Sequence, residues 1–140
     1  MSKAFFNSQR FVVVGASADP AKYGNKVLRW YISQNLPVTP LNPKAGKIEG
    51  IPCIKSLDEL PESNSPEAMG RVGVSVVTPP KVSEGVLEAA ARLGIKQLWF
   101  QPGSEPDKLT EVAKGLGVSA VGGGPCILVL GKRLLDQARL

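Results

Sequence analysis

Two features of the sequence bear directly on chemistry: the small-residue turn Gly15-Ala16-Ser17 and a lysine, Lys44, after the second apolar segment. Both point to anion binding. A turn of small residues lets backbone N–H groups approach a phosphate, Ser17 adds a hydroxyl donor, and a helix beginning near Gly24 aims its positive end at the same place. An ordinary tight turn has the same composition, so the turn alone leaves both readings open. A dinucleotide-binding enzyme that reads a free 2′-hydroxyl places Asp or Glu about 20 residues beyond its glycine fingerprint. Here that region reads Leu41-Asn42-Pro43-Lys44, which favours a phosphorylated ribose or another phosphate over a free 2′-hydroxyl, and NADP stays open on that ground; a lone loop lysine is more often simply solvated. The G-x-G-x-x-G string itself is missing, because Gly24 arrives too late to complete it.

What the sequence lacks narrows the chemistry further. Its 140 residues contain no histidine, which removes Ser-His and Cys-His nucleophiles, phosphohistidine relays and imidazole metal sites. There is no G-x-S-x-G elbow and no paired-carboxylate constellation. Cys53 and Cys126 are too few for a disulfide scaffold or a four-thiolate zinc site, and both read as reduced, half-buried residues. The net charge of +5 is local. Between Pro20 and Leu57 stand Lys22, Lys26, Arg29, Lys44, Lys47 and Lys55 against Glu49 alone, and the rest of the chain is balanced. A protein that coats nucleic acid spreads charge along a face with interleaved aromatics, and only eight aromatics are present. A compact anionic small molecule near the N-terminal third fits better than nucleic acid. No apolar run approaches the ~20 residues that span a bilayer, and the stretch before Phe11 leaves little room for a transit peptide. The expectation is a cytoplasmic protein with no membrane association.

These residues need a scaffold, and hydrophobic periodicity supplies one. Phe11–Gly15 is a β-branched run ending in glycine, as in a strand buried on both faces. Val27, Leu28, Tyr31 and Ile32 mark a helix within residues 24–36. A short strand at 38–42 contains Pro40, tolerable at an edge or end. Residues 43–50 read as loop, leading into a short extended segment, 51–54. Ser56 and Glu59 form a capping-box pattern for one helical turn, and Pro61–Gly70 reads as exposed loop. A strand at 72–78 is broken by Pro79-Pro80 and followed by a helix. Then come a strand at 95–101, a helix at 109–116, a fifth strand at 118–121 and a final helix between 127 and 139. Glu105 reads either as a cap for a helix from Pro106, the favoured reading, or as a pocket residue, and Trp30 and Trp99 as core or interface residues. Strands alternating with helices imply an α/β fold: a Rossmann-like doubly wound, mainly parallel sheet of about five strands with helices on both faces, residues 1–140 forming a single domain. The ligand then belongs at the carboxyl ends of the strands.

Taken together, Val14-Gly-Ala-Ser17, Lys22-Tyr-Gly-Asn25, Leu41-Asn-Pro-Lys44, Gly50-Ile-Pro52, Ser56-Leu-Asp-Glu-Leu60, Val76-Val-Thr-Pro-Pro80 and Leu98-Trp-Phe-Gln-Pro-Gly103 resemble the stand-alone CoA-binding domains, which are similar to the CoA-binding domain of the succinyl-CoA synthetase alpha subunit. The resemblance runs to about Val121. It implies a Rossmann-type domain that binds coenzyme A or an acyl-CoA without catalysis of its own. Gly15, Ala16, Ser17, Lys22, Tyr23 and Gly24 would hold phosphates, Asn42, Pro43 and Lys44 the adenosine part, and Thr78, Pro79 and Pro80 the flank of the nucleotide or pantetheine. An NADP-dependent oxidoreductase or a subunit of an acyl-CoA-processing enzyme is the alternative. The run Val121-Gly-Gly-Gly-Pro-Cys126 departs from the family pattern. Cys126 reads either as a small packing residue or as a thiol able to form a mixed disulfide with the coenzyme.

Overall fold

In the computed structural model, which describes residues 3–124 and 126–139, the alternating pattern becomes seven strands and five helices. In chain order these are β1 (Arg10–Val14), α1 (Tyr23–Ser33), β2 (Val38–Leu41), β3 (Lys47–Ile48), β4 (Ile51–Pro52), α2 (Pro66–Met69) and β5 (Val72–Val76). They continue with α3 (Pro80–Leu93), β6 (Gln97–Phe100), α4 (Leu109–Leu116), β7 (Ser119–Val121) and α5 (Ile127–Ala138). Five strands form one parallel sheet in the order β2-β1-β5-β6-β7. From β1 the chain winds through α1 to β2, then returns to lay β5 on the other side of β1. The winding direction reverses between β1 and β5, and this reversal opens a crevice at their carboxyl ends.

Side-chain alternation divides the core. Phe11 and Val13 of β1 enter a layer under α1 and α5 with Phe5, Phe6, Tyr31 and Trp99, whereas Val12 and Val14 enter an aliphatic layer with Leu87 and Ala90 of α3. The ring pair Phe11–Tyr31, centroids 5.1 Å apart, packs α1 on β1, and Phe5–Trp99, 5.6 Å apart, packs the N-terminal 3₁₀ turn Lys3–Asn7 on β6. Tyr31 Oη and Ser75 Oγ, 2.6 Å apart, satisfy each other inside this layer. Pro40 lies in the edge strand β2, and its carbonyl accepts from Ile54 N on the side away from β1, so its missing N–H costs the β1–β2 ladder nothing.

Three expectations are corrected. Residues 43–50 are not all loop: β3 pairs antiparallel with β4 across the turn Glu49-Gly50, and both turn residues have positive φ. Pro61–Gly70 holds a 3₁₀ turn, Pro61–Asn64, and the short helix α2. Prolines at first helical positions and Ser65 Oγ accepting from Ala68 N start these turns, and Met69 is fully buried. The Ser56–Glu59 capping box is not made: the Ser56 side chain caps nothing, and Glu59 Oε2 accepts from the N–H of Lys55, one residue before the N-cap, at 3.1 Å.

Candidate functional site

The crevice at the strand ends is a cavity of about 460 Å³. Gly15, Ala16 and Ser17 reach it from the loop after β1, Lys22, Tyr23 and Gly24 from the start of α1, and Asn42 from the end of β2. Val77, Thr78 and Pro79 close it after β5. Of the positions nominated from sequence, Pro43 and Lys44 instead lie exposed beyond Asn42, and Pro80 is the first residue of α3. Val77 was not nominated, although it directly precedes Thr78.

Backbone geometry explains why the turn has the residues it has. Gly15 sits at φ 92°, a region L side chains rarely adopt, and a Cβ on Gly24 would run into the Gly15 carbonyl oxygen. The two glycines let the β1 turn lie directly on the first turn of α1. Lys22 occupies the N-cap position of α1 and its side chain makes no cap bond. The first-turn N–H groups, the positive end of the helix dipole and the exposed Lys22 ammonium therefore face the same space. Two asparagines fix the loop: Asn25 Nδ2 donates to the Ser17 carbonyl at 2.8 Å, and Asn42 Nδ2 donates to the Ala16 carbonyl at 2.9 Å. Asn42 Oδ1 accepts from the N–H groups of Lys44 and Ala45, so one side chain both lines the cavity and shapes the segment that carries Lys44.

At its other end the cavity continues past Tyr23, Thr78 and Pro79 into a hollow of about 260 Å³ walled by Pro102, Gly103 and Ser104. The Tyr23 hydroxyl lies 3.5 Å from Gln101 Oε1 and touches the Cys126 thiol. Burial, reinforced by that thiol, raises the Tyr23 pKa and keeps it a neutral phenol. Gln101 is fully buried; its Oε1 accepts from Ile127 N at 2.8 Å and so caps α5, while its Nε2 has no partner among the described residues. Cys126 is half-buried at the N-cap position of α5. Glu105 does not cap a helix at Pro106, because α4 starts only at Leu109. Instead its carboxylate accepts from Gly103 N at 2.8 Å and Gly123 N at 2.9 Å, tying together the loops after β6 and β7.

A third hollow, about 270 Å³ and largely apolar, lies between α3 and the segment before residue 58, with Val14, Leu41, Lys55, Val82 and Val86 among its walls. Val14 and Leu41 directly precede Gly15 and Asn42, which places it beside the main cavity. Sequence reasoning missed it, as it missed Asn25 and Gln101. Its walls come from segments far apart in the chain, and no spacing rule connects them.

The profile of the CoA binding domain family matches residues 9–132. A curated relative is the alpha subunit of an ADP-forming acetate–CoA ligase II from Pyrococcus furiosus, 27% identical over 132 residues that cover 84% of this chain. The chain spans only 27% of that relative's length. Among solved structures, a conserved hypothetical protein from Pyrococcus furiosus is 38% identical with a TM-score of 0.75, covering 86% of this chain and 97% of that one. A dinucleotide-forming acetyl-coenzyme A synthetase 1 from Ca. Korarchaeum cryptofilum, in complex with phosphate and ADP, is 26% identical with a TM-score of 0.67; the match covers 86% of this chain and 26% of that one.

Proposed function

The chain belongs to the CoA binding domain family, and from that premise we propose that its cavity binds coenzyme A or an acyl-CoA and that the protein carries out no catalysis of its own. The observation that carries this reading is the join between the Gly15 turn and the uncapped start of α1, with Lys22 beside it. That arrangement suits the diphosphate. The apolar hollow at Val14, Leu41 and Val82 suits the adenine ring, and Lys44, exposed two residues beyond Asn42, is assigned to the ribose phosphate. The hollow past Tyr23 toward Gly103 suits the pantetheine arm. No helix among the described residues is long and apolar enough to cross a membrane, and a cytoplasmic small-molecule binder remains the reading.

Saturation binding with free coenzyme A, acetyl-CoA, a long-chain acyl-CoA and NADP tests it. Coenzyme A or one of its thioesters is expected to saturate, and NADP to bind weakly or not at all. Steady release of free thiol from acetyl-CoA, abolished by changing Ser17 or Tyr23, would contradict the non-catalytic part.

A further inference from the structure

Glu49 is the single acid among the basic residues of the Pro20–Leu57 stretch. It holds the first turn position of the β3–β4 hairpin at φ 51°, where glutamate is strained and glycine or asparagine is not. Its Oε2 accepts from Asn25 Nδ2 at 3.1 Å, and the same nitrogen donates to the Ser17 carbonyl at 2.8 Å. Asn25 is the third residue of α1 and fully buried, and it bonds Glu49 with one amide proton and the Ser17 carbonyl with the other; Glu49, itself exposed and outside the cavity lining, thus holds its charge next to the loop and helix start that face the cavity. The hairpin itself is anchored by Ile48, which is 1% exposed. Asp19, the other acid of this region, turns its Oδ1 onto the Ala21 N–H instead. A fixed carboxylate in the field of α1 competes with any anion that enters, and it opposes a doubly charged phosphate more than a singly charged one.

We propose that Glu49 is a specificity-determining residue that makes the diphosphate position of the cavity disfavour an unesterified outer phosphate and accept a diphosphate esterified at both ends. A terminal phosphate monoester carries about −1.5 to −2 at neutral pH, whereas each phosphorus of a doubly esterified diphosphate carries a single charge. The inference rests on the reading of the cavity as a coenzyme A site. It explains why a strained glutamate stands in a turn whose surroundings are otherwise built to attract anions.

Dephospho-CoA and ADP make the discriminating pair, because they share the same nucleoside diphosphate and differ in whether its outer phosphate is esterified. Their dissociation constants are measured at low ionic strength for wild type, Glu49→Gln and Glu49→Gly, with a melting curve for each protein. Glu49→Gln keeps an oxygen for Asn25 and removes the charge. The ratio of ADP to dephospho-CoA dissociation constants is expected to fall about fivefold in Glu49→Gln, the effect of one extra unit charge about 4 Å away screened as in bulk water, as suits an exposed carboxylate, and Glu49→Gly to give the same fall. An unchanged ratio in both variants overturns the proposal. Weaker binding of both ligands in Glu49→Gly alone, with Glu49→Gln like wild type, makes Glu49 a mechanical clamp and also overturns it. If ADP tightens in the variants while dephospho-CoA binds none of the three proteins, the charge gate stands and the coenzyme A reading falls; no binding of either ligand to any protein overturns both.

Discussion

Gly24 is the residue on which the cavity depends most tightly, because any side chain there meets the Gly15 carbonyl. Gly24→Ala must push the β1 turn off the start of α1, and it is expected to cost about 1–3 kcal/mol of stability and most of the ligand affinity. Gly46→Ala, where an added Cβ meets nothing within 4 Å, is the control and is expected to leave both unchanged in thermal melts and titrations. Lys44 is the opposite kind of residue, exposed and able to reorient. Lys44→Ala is expected to weaken coenzyme A by about 1.5–3 kcal/mol if its ammonium bonds a phosphate. Lys132→Ala, whose partner is Asp136 on the surface of α5, is expected to change nothing. Removing the 3′-phosphate from the ligand then separates the roles: wild type loses more than Lys44→Ala if Lys44 reads that phosphate, and equal losses mean that it reads another group.

Glu105 links elements rather than lining the cavity, and its carboxyl makes one part of the stability pH-dependent. Desolvation works to raise its pKa, but backbone N–H groups, those of Gly123 and Gly103 among them, outweigh it and hold the group below its ordinary value of 4.5. A lowered folded-state pKa means that the stabilisation is complete above about 4.5 and is lost as pH falls through the folded value. Glu105→Gln is therefore expected to melt below wild type at neutral pH, with the gap closing as the pH falls below 4.5 through the folded-state value; a gap independent of pH would assign the effect to shape alone. The main strands and helices were legible because β-branched runs such as Phe11–Val14 and periodic ones such as Leu109–Leu116 carry their structure locally. The β3–β4 hairpin was not, since strands of two residues show no periodicity and Glu49-Gly50 lacks the usual Asn-Gly signal. Nor were the roles of Glu105 and Gln101: each joins loops whose proximity only the assembled sheet creates.

At the scale of the whole molecule, topology decides where the charge surplus acts. The β2-β1-β5-β6-β7 order turns the loops after β1, β2 and β5 toward one end of the sheet, so nine of the twelve nominated positions share one cavity although they span residues 15–79. Strand order was not legible residue by residue. The position of the cavity was, because in a doubly wound sheet a crevice opens at the strand ends where the winding reverses. We propose that this cavity is shaped for coenzyme A rather than for a nicotinamide dinucleotide. The most direct test is the melting temperature of the full chain with coenzyme A, NADP or NAD at equal concentration. A ligand at a hundred times its Kd that binds only the folded state adds about 2.7 kcal/mol, a clear upward shift. That shift is expected for coenzyme A and little or none for the two dinucleotides; a shift with NADP but none with coenzyme A would contradict a coenzyme A site.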